Sequence, residues 1–191
     1  MLATSANVAV VVEWKKNHPE LPLVVDPVLF ASAGPPLLDE EGRILLRDEL
    51  LPGCTLVTPN LFESEFLTGA RHSPADSAKS IYEAHGCSAL IKGGHSENRE
   101  SEVVDVACLD GELVEFSHPR LPVPDLHGTG CTLSAAITAA LAHGKPLLEA
   151  IEDATRYLEK TMASHYLWPM LGTREEPDAT GALNHFPNDV D

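Results

Sequence analysis

Apolar and polar positions alternate in blocks along the 191-residue chain. Three short apolar runs, at 21–27, 55–60 and 88–94, each end in polar residues or glycines, as buried parallel strands do. Asp110-Gly111 stands between two alternating segments and predicts a hairpin over 103–117. The remaining pattern predicts six helices, over 5–17, 39–50, 60–69, 74–86, 129–143 and 146–166.

Strands that alternate with helices predict an α/β fold with a mostly parallel central sheet and helices on both faces. Ligands of such sheets bind beyond the carboxyl ends of the strands. Five polar residues follow the predicted strands and are expected to share one rim: Asp26, Thr58, Asn60, Glu63 and Lys92. We expect one domain over residues 1–168 and a flexible tail over 169–191, which is rich in proline, glycine and acidic residues.

The charge balance narrows the possible functions. The formal net charge is −16, from 13 basic and 29 acidic residues, and no Lys/Arg cluster offers a nucleic-acid surface. No apolar run approaches the ~18 residues of a membrane helix, and the N-terminus lacks the order of a signal peptide. The four cysteines (Cys54, Cys87, Cys108 and Cys131) are scattered. This spacing disfavours a zinc site or a disulfide scaffold and suits a reducing cytoplasm.

The sequence HGTGCT at 127–132 places a Gly-x-Gly loop directly before a small-residue helix. Backbone N–H groups at the start of a helix form an anion site that suits a phosphate in transfer. The same field lowers the pKa of a thiol, so Cys131 could act as a base toward a hydroxyl group. A tight turn with a small buried cysteine would show the same letters, so the spacing leaves both interpretations open.

Four blocks resemble one family in the right order: VVDPVL at 24–29, TLVTPNLFESEFLTG at 55–69, ALIKGGH at 89–95 and HGTGCTLSAAI at 127–137. The resemblance is to the hydroxymethylpyrimidine/phosphomethylpyrimidine kinases of thiamine biosynthesis, which are ribokinase-like. It extends from residues 1–4 to residues 181–186. It implies a ribokinase-like fold and transfer of the γ-phosphate of ATP to the hydroxymethyl group of the pyrimidine, then to the resulting monophosphate.

The resemblance assigns roles in the glycine loop. Gly128, Thr129 and Gly130 would form the anion hole, and Cys131 would be the base that activates the substrate hydroxyl. His127, which precedes the loop, is expected to be a hydrogen-bonding loop residue rather than a base.

The resemblance also assigns roles at the rim. Asn60 and Glu63 would help to hold Mg²⁺ through water, although an N-cap with a carboxylate at N3 explains them equally. Asp26 would lie near the phosphate path, or else end a strand before Pro27. Lys92 would face the nucleotide phosphates, or else be a solvated lysine at a strand end.

Three departures from the family pattern stand out. Chains of this family usually begin earlier, so Met1 and Val28 are the expected remainder of the pyrimidine pocket. Thr155 stands where a lysine is common, and Leu126 stands where threonine is usual. We therefore expect a fragment that retains weak ATP binding, self-associates through an uncovered sheet edge and lacks useful turnover.

Two alternatives remain open at this stage. A pyridoxal-type kinase shares the fold, and a catalytically dead nucleotide-binding or oligomerisation module would suit the departures. Relatives are often dimers, so a homodimer is a possible assembly. His95 has no role that the sequence supports.

Overall fold

The computed structural model describes residues 1–31, 34–94, 101–124, 126–169 and 179–187. The chain divides into two compact units, Met1–His118 (unit 1) and Pro119–Asp191 (unit 2). Within the described ranges, no helix has both the length and the apolar character needed to span a membrane.

A five-stranded sheet forms the centre of unit 1, and its spatial order follows the chain. Strands β1, β2 and β3 pair in parallel, whereas β3 and β4 are antiparallel. The predicted α/β class is confirmed, with the parallel part of the sheet in the first three strands. The strand bounds are β1 Val24–Val25, β2 Leu56–Val57, β3 Ser88–Ile91, β4 Glu102–Leu109 and β5 Glu112–Pro119.

Two strands are shorter than their apolar runs, and the prolines explain why. Pro22 and Pro27 flank β1, and Pro59 follows β2. Proline cannot donate a hydrogen bond to a neighbouring strand, so regular pairing stops close to it. The predicted hairpin is confirmed: Asp110 and Gly111 connect β4 to β5 with φ angles of 49° and 91°.

The helices of unit 1 begin and end within a few residues of their predicted bounds. They are α1 Ser5–Asn17, α2 Glu40–Leu45, α3 Leu61–Thr68 and α4 Pro74–His85. The predicted helix over 39–50 differs, because after α2 the chain continues as a π-helical turn, Leu46–Leu50, and a 3₁₀ turn, Leu51–Gly53. The Leu51 N–H donates to the Leu46 carbonyl, five residues back. This wider turn accompanies burial of Leu46, Leu50 and Leu51 together.

Unit 2 is built on two helices that pack against each other, α5 Thr129–Ala142 and α6 Leu147–Ala163. Ile137 of α5 and Ile151 of α6 are fully buried. Two strands that follow α6 along the chain, β6 Tyr166–Pro169 and β7 Ala179–Ala182, form an antiparallel pair.

The segment predicted to be a flexible tail contributes to the packing of unit 2. Its described part, residues 169 and 179–187, contains the last residue of β6 and all of β7, and Leu183 and Asn184 are buried. Gly181 bridges to Leu126, and a Cβ at Gly181 would lie 2.3 Å from a methyl carbon of that leucine. Close packing of distant segments, which composition does not reveal, therefore overrides the prediction of flexibility for 179–187. The rest of that segment, 170–178 and 188–191, lies outside the described residues.

Candidate active site

The predicted rim forms at the carboxyl ends of β1, β2 and β3. Asn60 and Lys92 make a parallel bridge just beyond β2 and β3. The Lys92 ammonium lies 3.0 Å from Asp26 Oδ1, and their side chains are 17% and 15% exposed. Thr58, also predicted at this rim, is fully buried, and its N–H donates to the Val25 carbonyl. Lys92 is thus paired with a carboxylate rather than solvated.

Asn60 and Glu63 form a capping box at the start of α3. The Asn60 side-chain oxygen accepts from the Glu63 N–H at 2.9 Å, and Glu63 Oε2 accepts from the Asn60 N–H at 2.8 Å. The capping alternative raised from the sequence is therefore present. Glu63 is only 5% exposed, which a cap alone does not require.

The burial of Glu63 shifts the pKa of its carboxyl group. Desolvation raises the pKa of its carboxyl above the ordinary value, and the nearby Asp26 carboxylate raises it further. The Lys92 ammonium and the hydrogen bonds from the backbone of Asn60 and Leu29 oppose this shift. Glu63 therefore belongs to the same charged cluster as the ion pair at the rim.

The donor set at the rim decides how a magnesium ion could be held. Among the described residues, no three His, Cys, Asp or Glu side chains lie together as metal ligands would. Oxygens of Asn60 and Glu63 already accept backbone hydrogen bonds. Magnesium usually keeps several waters and takes one or two carboxylates along with substrate phosphates. The residues present fit contact through water and do not fit a direct cage.

The glycine loop lies at the start of α5 in unit 2. Gly128 adopts φ 86° and ψ 6°, a left-handed conformation that glycine tolerates without strain, and its carbonyl accepts from the Thr132 N–H. Thr129 and Gly130 are half-buried, and Cys131 in the first turn is exposed and forms no disulfide. The interpretation of Cys131 as a buried structural residue is therefore wrong.

One buried hydroxyl that was not predicted from the sequence supports this loop. Ser134 is 6% exposed, and its Oγ donates to the Gly130 carbonyl at 3.0 Å. A serine four residues after a glycine in a helix is the signal that could have identified it.

A groove of about 700 Å³ runs along α5 and α6, with Cys131 among its lining residues. The alanine-rich run of α5 was a visible signal for such a surface, since small side chains leave room beside a helix. The apolar floor of the groove consists largely of alanines: Ala135, Ala136, Ala139, Ala140 and Ala154. The groove is bordered by the polar groups of His143, Lys145, Asp153 and Tyr157.

The other predicted residues are more scattered. In unit 1, Met1 is 77% exposed, and Val28 is half-buried with its N–H donating to the Asp26 carbonyl. In unit 2, the Thr155 hydroxyl donates to the Ile151 carbonyl of its own helix at 2.9 Å. Arg156 beside it pairs with Asp153. His95 lies outside the described residues.

Solved structures of kinases share this fold. The pyridoxal kinase of Bacillus subtilis, solved as an ADP complex, superposes with a TM-score of 0.81 and 29% identity, covering 100% of this chain and 69% of that one. The phosphomethylpyrimidine kinase of Clostridium difficile 630 superposes with a TM-score of 0.69 and 29% identity, covering 84% and 65%. The fold defines the chain as a ribokinase-like α/β protein.

The sequence comparisons narrow this class. The family described as phosphomethylpyrimidine kinase matches residues 1–171, so the chain belongs to that family. The hydroxymethylpyrimidine/phosphomethylpyrimidine kinase of Haemophilus influenzae is 37% identical over 164 residues, which are 83% of this chain. The matched region is 61% of the length of that protein, so the chain spans less than two thirds of this relative.

Proposed function

We propose that this protein transfers the γ-phosphate of ATP to 4-amino-5-hydroxymethyl-2-methylpyrimidine and then to its monophosphate. The observation that carries the proposal is the exposed thiol of Cys131 in the first turn of α5, directly after the left-handed Gly128. Membership of the family and the name of the Haemophilus relative support the choice of substrate.

The proposed roles in unit 2 follow from the start of α5. Backbone N–H groups of Gly128, Thr129 and Gly130 face a phosphoryl group at the positive end of the helix. The Cys131 thiolate accepts the proton of the substrate hydroxyl and becomes a thiol. The hydroxyl oxygen forms a bond to the γ-phosphorus as the bond to the β-phosphate oxygen breaks, and ADP leaves. Thr155, where relatives commonly have lysine, contacts the nucleotide in this proposal.

The proposed roles in unit 1 follow from the charged cluster. Lys92 offers its ammonium to the nucleotide phosphates, and Asp26, its ion-pair partner, lies along the phosphate path. Asn60 and Glu63 hold the water shell of Mg²⁺, and the ion, when bound with ATP, neutralises phosphate charge. Met1 and Val28 contact the pyrimidine.

The test is a direct assay on the purified chain. ATP and magnesium are incubated with the hydroxymethylpyrimidine, its monophosphate or pyridoxal, and phosphorylated products are measured by mass spectrometry. Under the proposed function we expect the monophosphate and then the diphosphate of the pyrimidine, whereas a fragment without useful turnover, as predicted from the sequence, would give neither product. Phosphorylation of neither pyrimidine, with ATP bound and the chain folded, would overturn the proposal.

A pyridoxal kinase is the second candidate, because a specific observation favours it. The pyridoxal kinase of Bacillus subtilis superposes on the whole chain, whereas the Clostridium phosphomethylpyrimidine kinase covers 84% of it with a lower TM-score. The same assay separates the two, since the ratio of kcat/KM for pyridoxal and the pyrimidine ranks them directly. A ratio above one would favour pyridoxal.

A nucleotide-binding module without turnover is the remaining candidate. Calorimetry with ATP would show binding, and the assay would show no product.

We also propose that the chain forms a homodimer, which light scattering on the same sample measures. The four cysteines form no disulfide, which supports a location in the reducing cytoplasm.

A further inference from the structure

The carboxylate of Asp105 connects β4 to the chain that follows β3. Its Oδ1 accepts a hydrogen bond from the Gly93 N–H at 2.6 Å, and its Oδ2 lies 3.5 Å from Nε2 of His118. The residue is 6% exposed. A carboxylate is costly to bury unless it is hydrogen-bonded or paired, so these contacts account for its position.

The geometry beyond β3 explains why a side chain receives this hydrogen bond. The last antiparallel pair of β3 and β4 is Ile91 with Val106, so the same register carried one step further would set Lys92 opposite Asp105. The backbone of Gly93 approaches β4 so closely that a Cβ would lie 1.9 Å from the Val104 carbonyl oxygen. The Asp105 carboxylate therefore supplies the acceptor for the Gly93 N–H where the regular ladder stops.

Lys92 is held on both sides by this arrangement. Its own N–H donates to the Pro59 carbonyl at 2.9 Å, and its ammonium lies 3.0 Å from Asp26 Oδ1. The peptide that follows it carries the N–H bound by Asp105. Lys92 is therefore held by the hydrogen bond of its own N–H, by that of the following Gly93 N–H and by the ion pair of its ammonium.

We propose that Asp105 is a positioning residue: by holding the Lys92–Gly93 peptide it directs the Lys92 ammonium toward Asp26. The consequence for nucleotide binding rests on the proposed function, whereas the effect on Lys92 itself does not. The competing explanation is that Asp105 only stabilises the hairpin of β4 and β5.

The first experiment measures Lys92 without any ligand. Nuclear magnetic resonance of the ¹⁵N-labelled chain reports two signals, that of the Gly93 amide and that of Lys92 Nζ. The Nζ signal is assigned by comparison with the Lys92→Arg variant. We expect Asp105→Val to move both signals and Asp105→Asn, which keeps an oxygen acceptor, to restore the Gly93 signal largely. Glu102→Val is the matched control, since Glu102 is a carboxylate on the same strand that accepts from Ser117 of β5. It should leave both signals in place.

The second experiment measures the Kd for ATP and the KM for the pyrimidine in the same variants. We expect Asp105→Val to raise the Kd for ATP about tenfold, the scale of one misplaced charged hydrogen bond. The KM for the pyrimidine should stay within about twofold, because Lys92 is assigned to the nucleotide. If Asp105 only stabilised the hairpin, Asp105→Val would lower the free energy of unfolding and would change the Kd for ATP and the KM for the pyrimidine together. In that case Glu102→Val would have the same effect.

The outcomes separate the two proposals. An unchanged Lys92 Nζ signal in Asp105→Val overturns the positioning role, and so does an equal change in Glu102→Val. If the parent chain binds no ATP, the proposed function fails, and the Lys92 Nζ signal still decides the role of Asp105. Should Asp105→Val not fold, Asp105→Glu replaces it, because it keeps the charge and displaces the acceptor by one methylene.

Discussion

Each unit has candidate groups at the start of a helix, and the two helix starts are built in opposite ways. In unit 1, α3 begins with a side-chain cap, in which Asn60 and the buried Glu63 satisfy each other's backbone N–H groups. In unit 2, α5 begins with Gly128, which has no side chain and turns the chain through a left-handed conformation.

The candidate groups of the two units are therefore preorganised in different ways. The polar groups of unit 1 are held by partners within the protein, and desolvation makes each of them sensitive to loss of a partner. The start of α5 offers backbone dipoles and an exposed thiol, and its shape depends on one glycine. We therefore expect changes in unit 1 to affect stability first and changes in unit 2 to affect turnover first.

The largest expected effect is on turnover in unit 2. Cys131→Ala should lower kcat about 10²–10⁴-fold, the usual contribution of a positioned base. Because Cys131 is exposed, the urea midpoint of unfolding should stay close to that of the parent. The measurement is the initial rate of pyrimidine phosphorylation beside a denaturation curve. A parental rate in the alanine variant would show that another group accepts the proton.

The next effect is on stability in unit 1. Lys92→Met leaves Asp26 and Glu63 without their nearby cation, and it should reduce the free energy of unfolding by about 2–4 kcal/mol, since the pair is largely buried. Lys16→Met is the control, because it removes an exposed pair with Glu49 at the same 3.0 Å distance. That change should cost less than about 1 kcal/mol. Equal losses in urea unfolding would mean that burial adds nothing to the rim pair.

A smaller effect tests the glycine cap. Gly128→Ala should cost about 1–2 kcal/mol of stability, because alanine is strained at φ 86°, although nothing lies within 4 Å of the added Cβ. Gly144→Ala, at φ 78° beyond the other end of α5 and equally open, should cost about the same. Only the Gly128 variant should also lose turnover. If both variants retain the parental kcat, the shape of the loop does not matter to the reaction.

The smallest effect is a pH dependence at Glu63. Its raised pKa means that the folded state favours the protonated carboxyl, so this group stabilises the fold at low pH. That contribution is lost as the pH rises from the ordinary value of 4.5 through the raised pKa. The unfolding free energy of the parent, minus that of Glu63→Gln, should therefore fall across this range in magnesium-free buffer. Glu65→Gln, exposed on the same helix, controls for charge, and a flat difference for Glu63→Gln would contradict the raised pKa.

Much of the fold was predictable because its signals are local. The Asp110-Gly111 turn appears as predicted, and the cap at Asn60 is the one that the sequence offered as an alternative to a metal role. Each depends on contacts within about four residues. The departure at Leu126 had no such local explanation, since its partner Gly181 belongs to a distant strand.

The candidate site also has features that the sequence determined and features that it did not. The sequence by itself determined which residues follow each strand, where the glycine loop precedes a helix, and to which family the motifs point. Only the tertiary structure decided that Lys92 pairs with Asp26, 66 residues away, that Glu63 is buried beside them, and that Asp105 holds the peptide after Lys92. The physical reason is that burial and charge pairing depend on which distant segments exclude water from a side chain, and no local pattern encodes that.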